Sequence, residues 1–384
     1  PILATRVERP KPTRSRWRRR LWVGTSILLV LLVVAVAGFF LECRHIGNQM
    51  RANLPQLDGS QTVYGLAAPV TVQRDAHGVP HIHASSMDDL VFAQGYITAQ
   101  DRLWQMDILR RHAAGDLAEI LGPSLVPHDR AQRILQVRAS ADRALATLPA
   151  DQLHWLQLYA QGVNDSIPAQ GTHLPIEFRI LRYQPAPWTP CDSLLVGLAM
   201  FQDLTNSFPQ KLNREALSAK LQPELLANLY PVGSWRDHPP TQPAIDLSNP
   251  PTDFEGIPLD ESQSKLTQPT PTRDLLALQK ILSTNPCEGC IAGSNNWVVS
   301  GTRTASGKPL LSNDMHLNHS LPGVWYEADL QSTGDNFHAA GVTLPGYPFV
   351  IVGHNDHIAW GFTNLGADVQ DLYIEHTRGT GSAA

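Results

Sequence analysis

Gly293-Ser294-Asn295-Asn296-Trp297-Val298-Val299 reads as a glycine and a serine opening a β-strand. Trp297, Val298 and Val299 are β-formers, and the pattern turns over at Ser306-Gly307-Lys308 into a second run, Pro309-Leu310-Leu311. A serine at a strand start, after a flexible glycine, suits one particular chemistry. Its hydroxyl attacks the preceding carbonyl, the Gly293–Ser294 bond is cut, and Ser294 becomes a new N-terminus whose α-amine serves as base for its own hydroxyl. Gly293 helps because the attack needs a backbone conformation that a Cβ would resist. On the pentapeptide alone the plain alternative, a polar residue at a strand edge, is the favoured one.

Working outward, three more blocks stand in order around this one. Downstream lie Thr304-Ala-Ser-Gly-Lys-Pro-Leu-Leu-Ser-Asn-Asp-Met-His-Leu317, then Pro345-Gly346, Gly353-His-Asn355, Ala359-Trp-Gly361, Thr363-Asn364 and Asp368-Val-Gln-Asp371. Upstream lie Arg74-Asp-Ala-His-Gly-Val-Pro-His-Ile82, Ala99-Gln-Asp-Arg-Leu103, Arg110-Arg111 and Gly115-Asp-Leu-Ala-Glu119. Together, over roughly residues 60 to 376, these blocks resemble the penicillin acylase family of N-terminal-nucleophile hydrolases. The resemblance implies an α+β fold, a four-layer αββα sandwich incomplete at the C-terminus. It implies an amidase of the penicillin amidase type, acting on linear amides and maturing by autoproteolysis between Gly293 and Ser294 into an α/β heterodimer.

The same resemblance assigns roles. Ser294 is the nucleophile, His316 orients its hydroxyl, and the backbone N–H of Asn364 donates to the oxyanion. A second oxyanion donor, an asparagine side chain, and an assisting arginine come later in such proteins, past Ala384. Met200, Leu204, Leu317 and Val350 line an apolar acyl pocket, and each reads equally well as core. Asp368 and Asp371 match ligands of a structural calcium, whose third position falls on the weaker neutral donor Gln210. Catalysis itself requires no cofactor. The substrate is a small N-acyl compound, penicillin-like or acyl-homoserine-lactone-like. The competing reading is a membrane-anchored binding protein that keeps the fold without activity. A conventional Ser-His-Asp hydrolase ranks low, since no Gly-x-Ser-x-Gly elbow occurs.

The 384-residue chain has a formal charge of -5 and enough apolar content for a sizeable core. Residues 1–20 are basic, with Arg6, Arg14, Arg16 and Arg18-Arg19-Arg20. Outside that segment no basic patch with interleaved aromatics points to nucleic acid. Leu21–Leu41 carries no charge and is long enough to span a bilayer, and the arginines before it place the rest outside, in the periplasm or extracellular space. An uncleaved anchor is favoured over a signal peptide because bulky Phe39-Phe40-Leu41-Glu42 offers no small-x-small site. Residues 42–68 then read as a connector, 69–231 as a mainly helical part, 232–293 as a flexible Pro/Ser/Thr-rich spacer, and 294–384 as the start of the nucleophile-bearing part.

Within 69–231, strands flank the Asp75-Ala-His-Gly78 turn, and Ser86 caps a helix reaching about Leu121. Its arginines and aspartates read as a face laced with ion pairs. His77, His81 and His83 follow no standard zinc spacing, so no metal is assigned to them. Helix is expected again over Ala139–Ile167, Asp192–Asp203 and Leu212–Leu229. Cys287-Glu-Gly-Cys290 has the spacing of a redox or zinc half-site without a second pair, and outside the membrane it could close a local disulfide.

Overall fold

The computed structural model describes residues 14–171, 173–205, 207–229, 293–317, 320–364 and 369. The spacer up to residue 292, with Cys287 and Cys290, lies outside the described residues, as do Asp368, Asp371 and the side chain of Gln210. The chain divides into two compact units. One comprises the residues up to Gly59 with Gln170–Arg182, the other residues 60–169 and those from Tyr183 onward.

In the first unit, helix α1 runs from Arg14 to Ala52, past Leu41 and into the expected connector. At about 1.5 Å per residue its 39 residues exceed the hydrocarbon core of a bilayer, about 30 Å. Its apolar side chains from Leu21 to Leu41 stand exposed. Trp17–Asn48 is long and apolar enough to cross a membrane.

The second unit is α+β. β1 (Thr71–Arg74) and β2 (Pro80–Ala84) form an antiparallel pair around the expected turn, where Asp75 Oδ1 accepts from the N–H groups of His77 and Val79. Helix α2 (Met87–Ala114) starts where Ser86 Oγ accepts from the Asp89 N–H at 3.2 Å. It stops before Leu121: Gly115 adopts φ 75°, and its N–H returns to the Arg111 and His112 carbonyls. A four-residue helix, α3 (Ala118–Leu121), follows. The Ala139–Ile167 stretch is two helices, α5 (Val137–Thr147) and α6 (Ala150–Gln170), after α4 (Val126–Ile134). Leu148 is extended at the break because Pro149 follows it. α7 (Ile176–Ile180) belongs to the first unit. α8 (Pro190–Leu204) starts at Thr189, whose N–H and hydroxyl both reach Asp192 Oδ2 at 2.8 Å. Leu212–Leu229 is again two helices, α9 (Ser207–Ser218) and α10 (Pro223–Leu229), with Pro223 opening the second.

β3 (Asn295–Val299) and β4 (Leu310–Asp314) form a separate antiparallel pair, joined through Gly307 at φ 70°. β5 (Tyr326–Ser332), β6 (Phe337–Thr343), β7 (Val352–His354) and β8 (Ala359–Trp360) complete a sheet of order β1-β2-β5-β6-β7-β8. Among the described residues its one parallel pairing joins β2 to β5, so strands far apart in sequence become neighbours. One sheet face packs on α2: Ile82, Ala84, Ala328 and Leu330 bury against Leu90, Ala93, Tyr96 and Ile97. A second core joins α2, α5 and α8 through Ala113, Val137, Ala141, Cys191 and Leu195. α2 and α6 cross with backbones nearly touching, since a Cβ on Gly95 or Gly162 would overlap the Tyr159 or Phe92 carbonyl.

The ion pairs expected along α2 are present, and the central one is buried. Asp107 and Arg110 have side-chain exposures of only 1% and 6%. Arg110 donates to Asp107 at 2.9 Å, to the Ala186 and Pro187 carbonyls at 2.8 and 3.1 Å, and to Asp192 at 3.3 Å. One guanidinium thereby ties α2 to the proline-rich break and to the start of α8. Arg74 forks onto Asp101 at 2.7 and 3.0 Å, and the Tyr326 hydroxyl donates to the same carboxylate.

Candidate active site

Ser294 stands one residue before β3 and is half-buried. The β3–β4 register pairs Asn295 with Asp314, and the Gly293 N–H continues the ladder to the His316 carbonyl at 2.9 Å. Gly293 and His316 therefore face one another across the two strands. The imidazole lies over the glycine: a Cβ at position 293 would meet Nε2 at 2.6 Å. The φ of Gly293 lies outside the left-handed region, and the ring takes the space that a Cβ there would occupy. His316 Nδ1 turns the other way, 3.3 Å from Asp314 Oδ2.

Asn313, which the sequence alone marks only as a member of a motif block, is the next structural link. It sits within β4, opposite Asn296. Its Nδ2 donates to the Asn295 carbonyl at 2.9 Å and to the Phe362 carbonyl at 3.0 Å, and its Oδ1 accepts from the Phe362 N–H at 2.9 Å. One amide thus joins the residue after Ser294 to the segment leading into Asn364. An amide in mid-strand, where β-formers are usual, is the sequence signal that could have marked it.

Asn364 in turn donates from Nδ2 to the Leu204 carbonyl at 2.5 Å, at the end of α8. Met200 and Leu204 lie four residues apart and share one face of that helix, both half-buried. Leu317 follows His316 directly. Ser294, His316, Leu317, Asn364, Leu204 and Met200 are thus joined through bonded or neighbouring groups.

Val350 is placed differently. It packs against the core cluster around Ile82 and Leu330, which is its core reading. The loop that carries it is pinned by two residues the sequence reading missed. Gly346 N–H donates to the Tyr159 hydroxyl at 3.1 Å, and Phe349, at φ 68°, donates its N–H to Gln94 Oε1 at 2.9 Å. A positive φ on a phenylalanine costs energy, which the Gln94 bond and the Trp155 ring, 5.2 Å from that of Phe349, offset.

The histidines of β1–β2 serve the other face of the sheet. His81 Nδ1 meets Asp329 at 2.8 Å, His338 meets the same carboxylate at 3.1 Å, and His338 Nδ1 meets Asp356 at 2.8 Å. Among the described residues, no group of three or more such side chains is arranged to hold a metal.

Residues 69–383 match the Penicillin amidase family, and the chain belongs to it. Over 330 residues it is 33% identical to the acyl-homoserine lactone acylase QuiP of Pseudomonas aeruginosa, a match covering 86% of this chain and 37% of the relative. Over 337 residues it is 35% identical to the penicillin acylase 2 proenzyme of Pseudomonas sp. (strain SE83), covering 87% of this chain and 41% of the relative. The chain therefore spans about two fifths of the length of these relatives. Among solved structures, a thermostable penicillin G acylase from Alcaligenes faecalis is 32% identical, with a TM-score of 0.39 over 46% of this chain and 97% of that one.

Proposed function

We propose that this chain is the nucleophile-bearing portion of an acylase that hydrolyses the amide bond of small N-acyl compounds. The observation that carries this reading is the pairing of Gly293 with His316 across β3 and β4, beside a serine at a strand start, in a chain of the penicillin amidase family. In maturation, Ser294 Oγ attacks the Gly293 carbonyl carbon. The acyl group moves from nitrogen to oxygen, and water hydrolyses the ester, leaving a Gly293 carboxylate and a Ser294 α-amine. In turnover that amine takes the hydroxyl proton as Oγ attacks the substrate carbonyl, and passes it to the leaving amine. Water then releases the acid from the acyl-serine. The His316 ring, fixed over Gly293, orients the hydroxyl, and the Asn364 N–H stabilises the oxyanion.

Both relatives' names, acyl-homoserine lactone acylase and penicillin acylase, point to an acyl group on a small amine. The half-buried Met200 and Leu204 suit an aliphatic or aromatic acyl chain. The four-layer sandwich would cover Trp297, Val298 and Leu310, exposed on the β3–β4 pair. The mature protein would be an α/β heterodimer anchored by α1, with its catalytic part on the outer side of the membrane. A structural calcium, taking no part in the reaction, would be held by Asp368, Asp371 and the weaker donor Gln210.

The test is N-terminal sequencing of the full-length protein with Ser294→Ala alongside. The expected result is a new terminus at Ser294 in the wild type, and one uncut, inactive chain in the variant. A terminus elsewhere, or activity in the variant, defeats the mechanism.

A further inference from the structure

We infer that Asn313 is a positioning residue that sets the distance between the nucleophile and the oxyanion arm, an inference that rests on the reading of Ser294 and Asn364 above. Its amide makes three hydrogen bonds, two from Nδ2 and one to Oδ1, all to main chain and all between 2.9 and 3.0 Å. These bonds fix which end of the amide is which, because the Phe362 N–H needs an acceptor and the two carbonyls need donors. On one side they hold the peptide of Asn295, next to Ser294. On the other they hold Phe362, two residues before Asn364. Among the described residues, β3–β4 and the six-stranded sheet are separate hydrogen-bonded units, and this amide links the first to Phe362, two residues past the end of β8.

Gly361 supports the assignment independently. A Cβ there would stand 2.8 Å from Asn313 Oδ1 and 2.9 Å from its Cβ and Cγ. The glycine leaves the space in which the amide sits. Serine and aspartate are poor substitutes: serine is too short to reach both strands, and aspartate turns two attractive contacts with carbonyls into repulsive ones.

The experiment compares Asn313→Asp, Asn313→Ala and Gly361→Ala with wild type in the full-length protein. It measures melting temperature, the rate of cutting at Ser294, and kcat and KM on a chromogenic acyl anilide per cut chain. Expected are melting temperatures within a few degrees of wild type, KM little changed, and kcat lowered by about a hundredfold, the cost of misplacing reacting groups. A folded but uncut precursor also supports the inference, because cutting uses the same oxygen and the same arm. Gly361→Ala should reproduce the effect while leaving Asn313 itself intact. Unchanged kcat in the Asn313 variants overturns the proposal. So does a loss of activity that tracks a lower melting temperature in all three variants, which would make Asn313 a stability residue only. Full activity in Ser294→Ala would instead overturn the underlying reading, so the two failures are distinct.

Discussion

His316 and Gly293 occupy one space: the imidazole fills the position that any side chain at residue 293 would need. The histidine is therefore in place before the chain is cut, held by the backbone bond from Gly293 and by Asp314 on its far side. A methyl group at 293 must push the ring away or break the ladder. Gly293→Ala should leave most of the full-length protein uncut, because a methyl that disturbs the Gly293 N–H bond to the His316 carbonyl shifts the peptide that Ser294 attacks. Gel analysis of freshly expressed protein checks this, and complete cutting in the variant would refute it.

His316→Ala removes the ring but keeps the strand pairing, because the bond from Gly293 uses the His316 carbonyl. Cutting should continue, while kcat falls on the order of tenfold to a hundredfold through loss of orientation of the hydroxyl. Parallel measurement of cutting and turnover decides it. An equal effect on both would mean that the ring acts in both steps alike.

Arg110 is a stability residue by its surroundings. Arg110→Met would leave Asp107 with Arg111 and Tyr183 as partners, and would strand the Ala186 and Pro187 carbonyls. Because Asp107 keeps these partners, the cost falls mainly on the stranded carbonyls, about 1–3 kcal/mol each. Arg110→Lys should recover only part, since an ammonium lacks the planar fork. Thermal melting of the detergent-solubilised protein tests the order wild type, Lys, Met.

Two histidines give opposite pH responses. Burial, then the neighbouring His128, hold His112 down to about 4 against an ordinary value of 6.5, with Asp129 opposing. The unfolded chain takes up that proton first. Its contribution is therefore intact above pH 6.5 and is lost as the pH falls towards 4, by up to about 3 kcal/mol. His338 is raised, chiefly by its bond to Asp356 and also by Asp329, against a desolvation that lowers it. Its contribution is full below about 6.5 and fades as the pH rises through the folded value. Melting temperature against pH should lose its acid-side slope in part in His112→Gln, and its decline on the alkaline side in part in His338→Gln.

The anchor is tested by protease protection in spheroplasts. The catalytic part should be digested from outside, with α1 retained on the membrane. A mature N-terminus near Glu42 would show instead that Leu21–Leu41 is a removed signal.

Short-range features were legible in the chain because their causes are local. Ser86 capping α2, the Asp75–Gly78 turn and the β3–β4 pairing follow from residues within a few positions of one another. Four ordered motif blocks likewise sufficed for the family. The limits of helices were less legible: Gly115 ended α2 early, and Pro149 and Pro223 divided runs that periodicity alone left continuous. What only the tertiary structure decided lies between elements distant in sequence. Nothing near Arg110 in the chain shows that it will be buried against the 185–190 break, because its partners arrive from about 80 residues away. Nothing beside Asn313 shows that Phe362 will lie against its amide, and only the folded chain shows that the His316 ring takes the space beside Gly293. Packing brings these groups together, and packing depends on the whole chain at once.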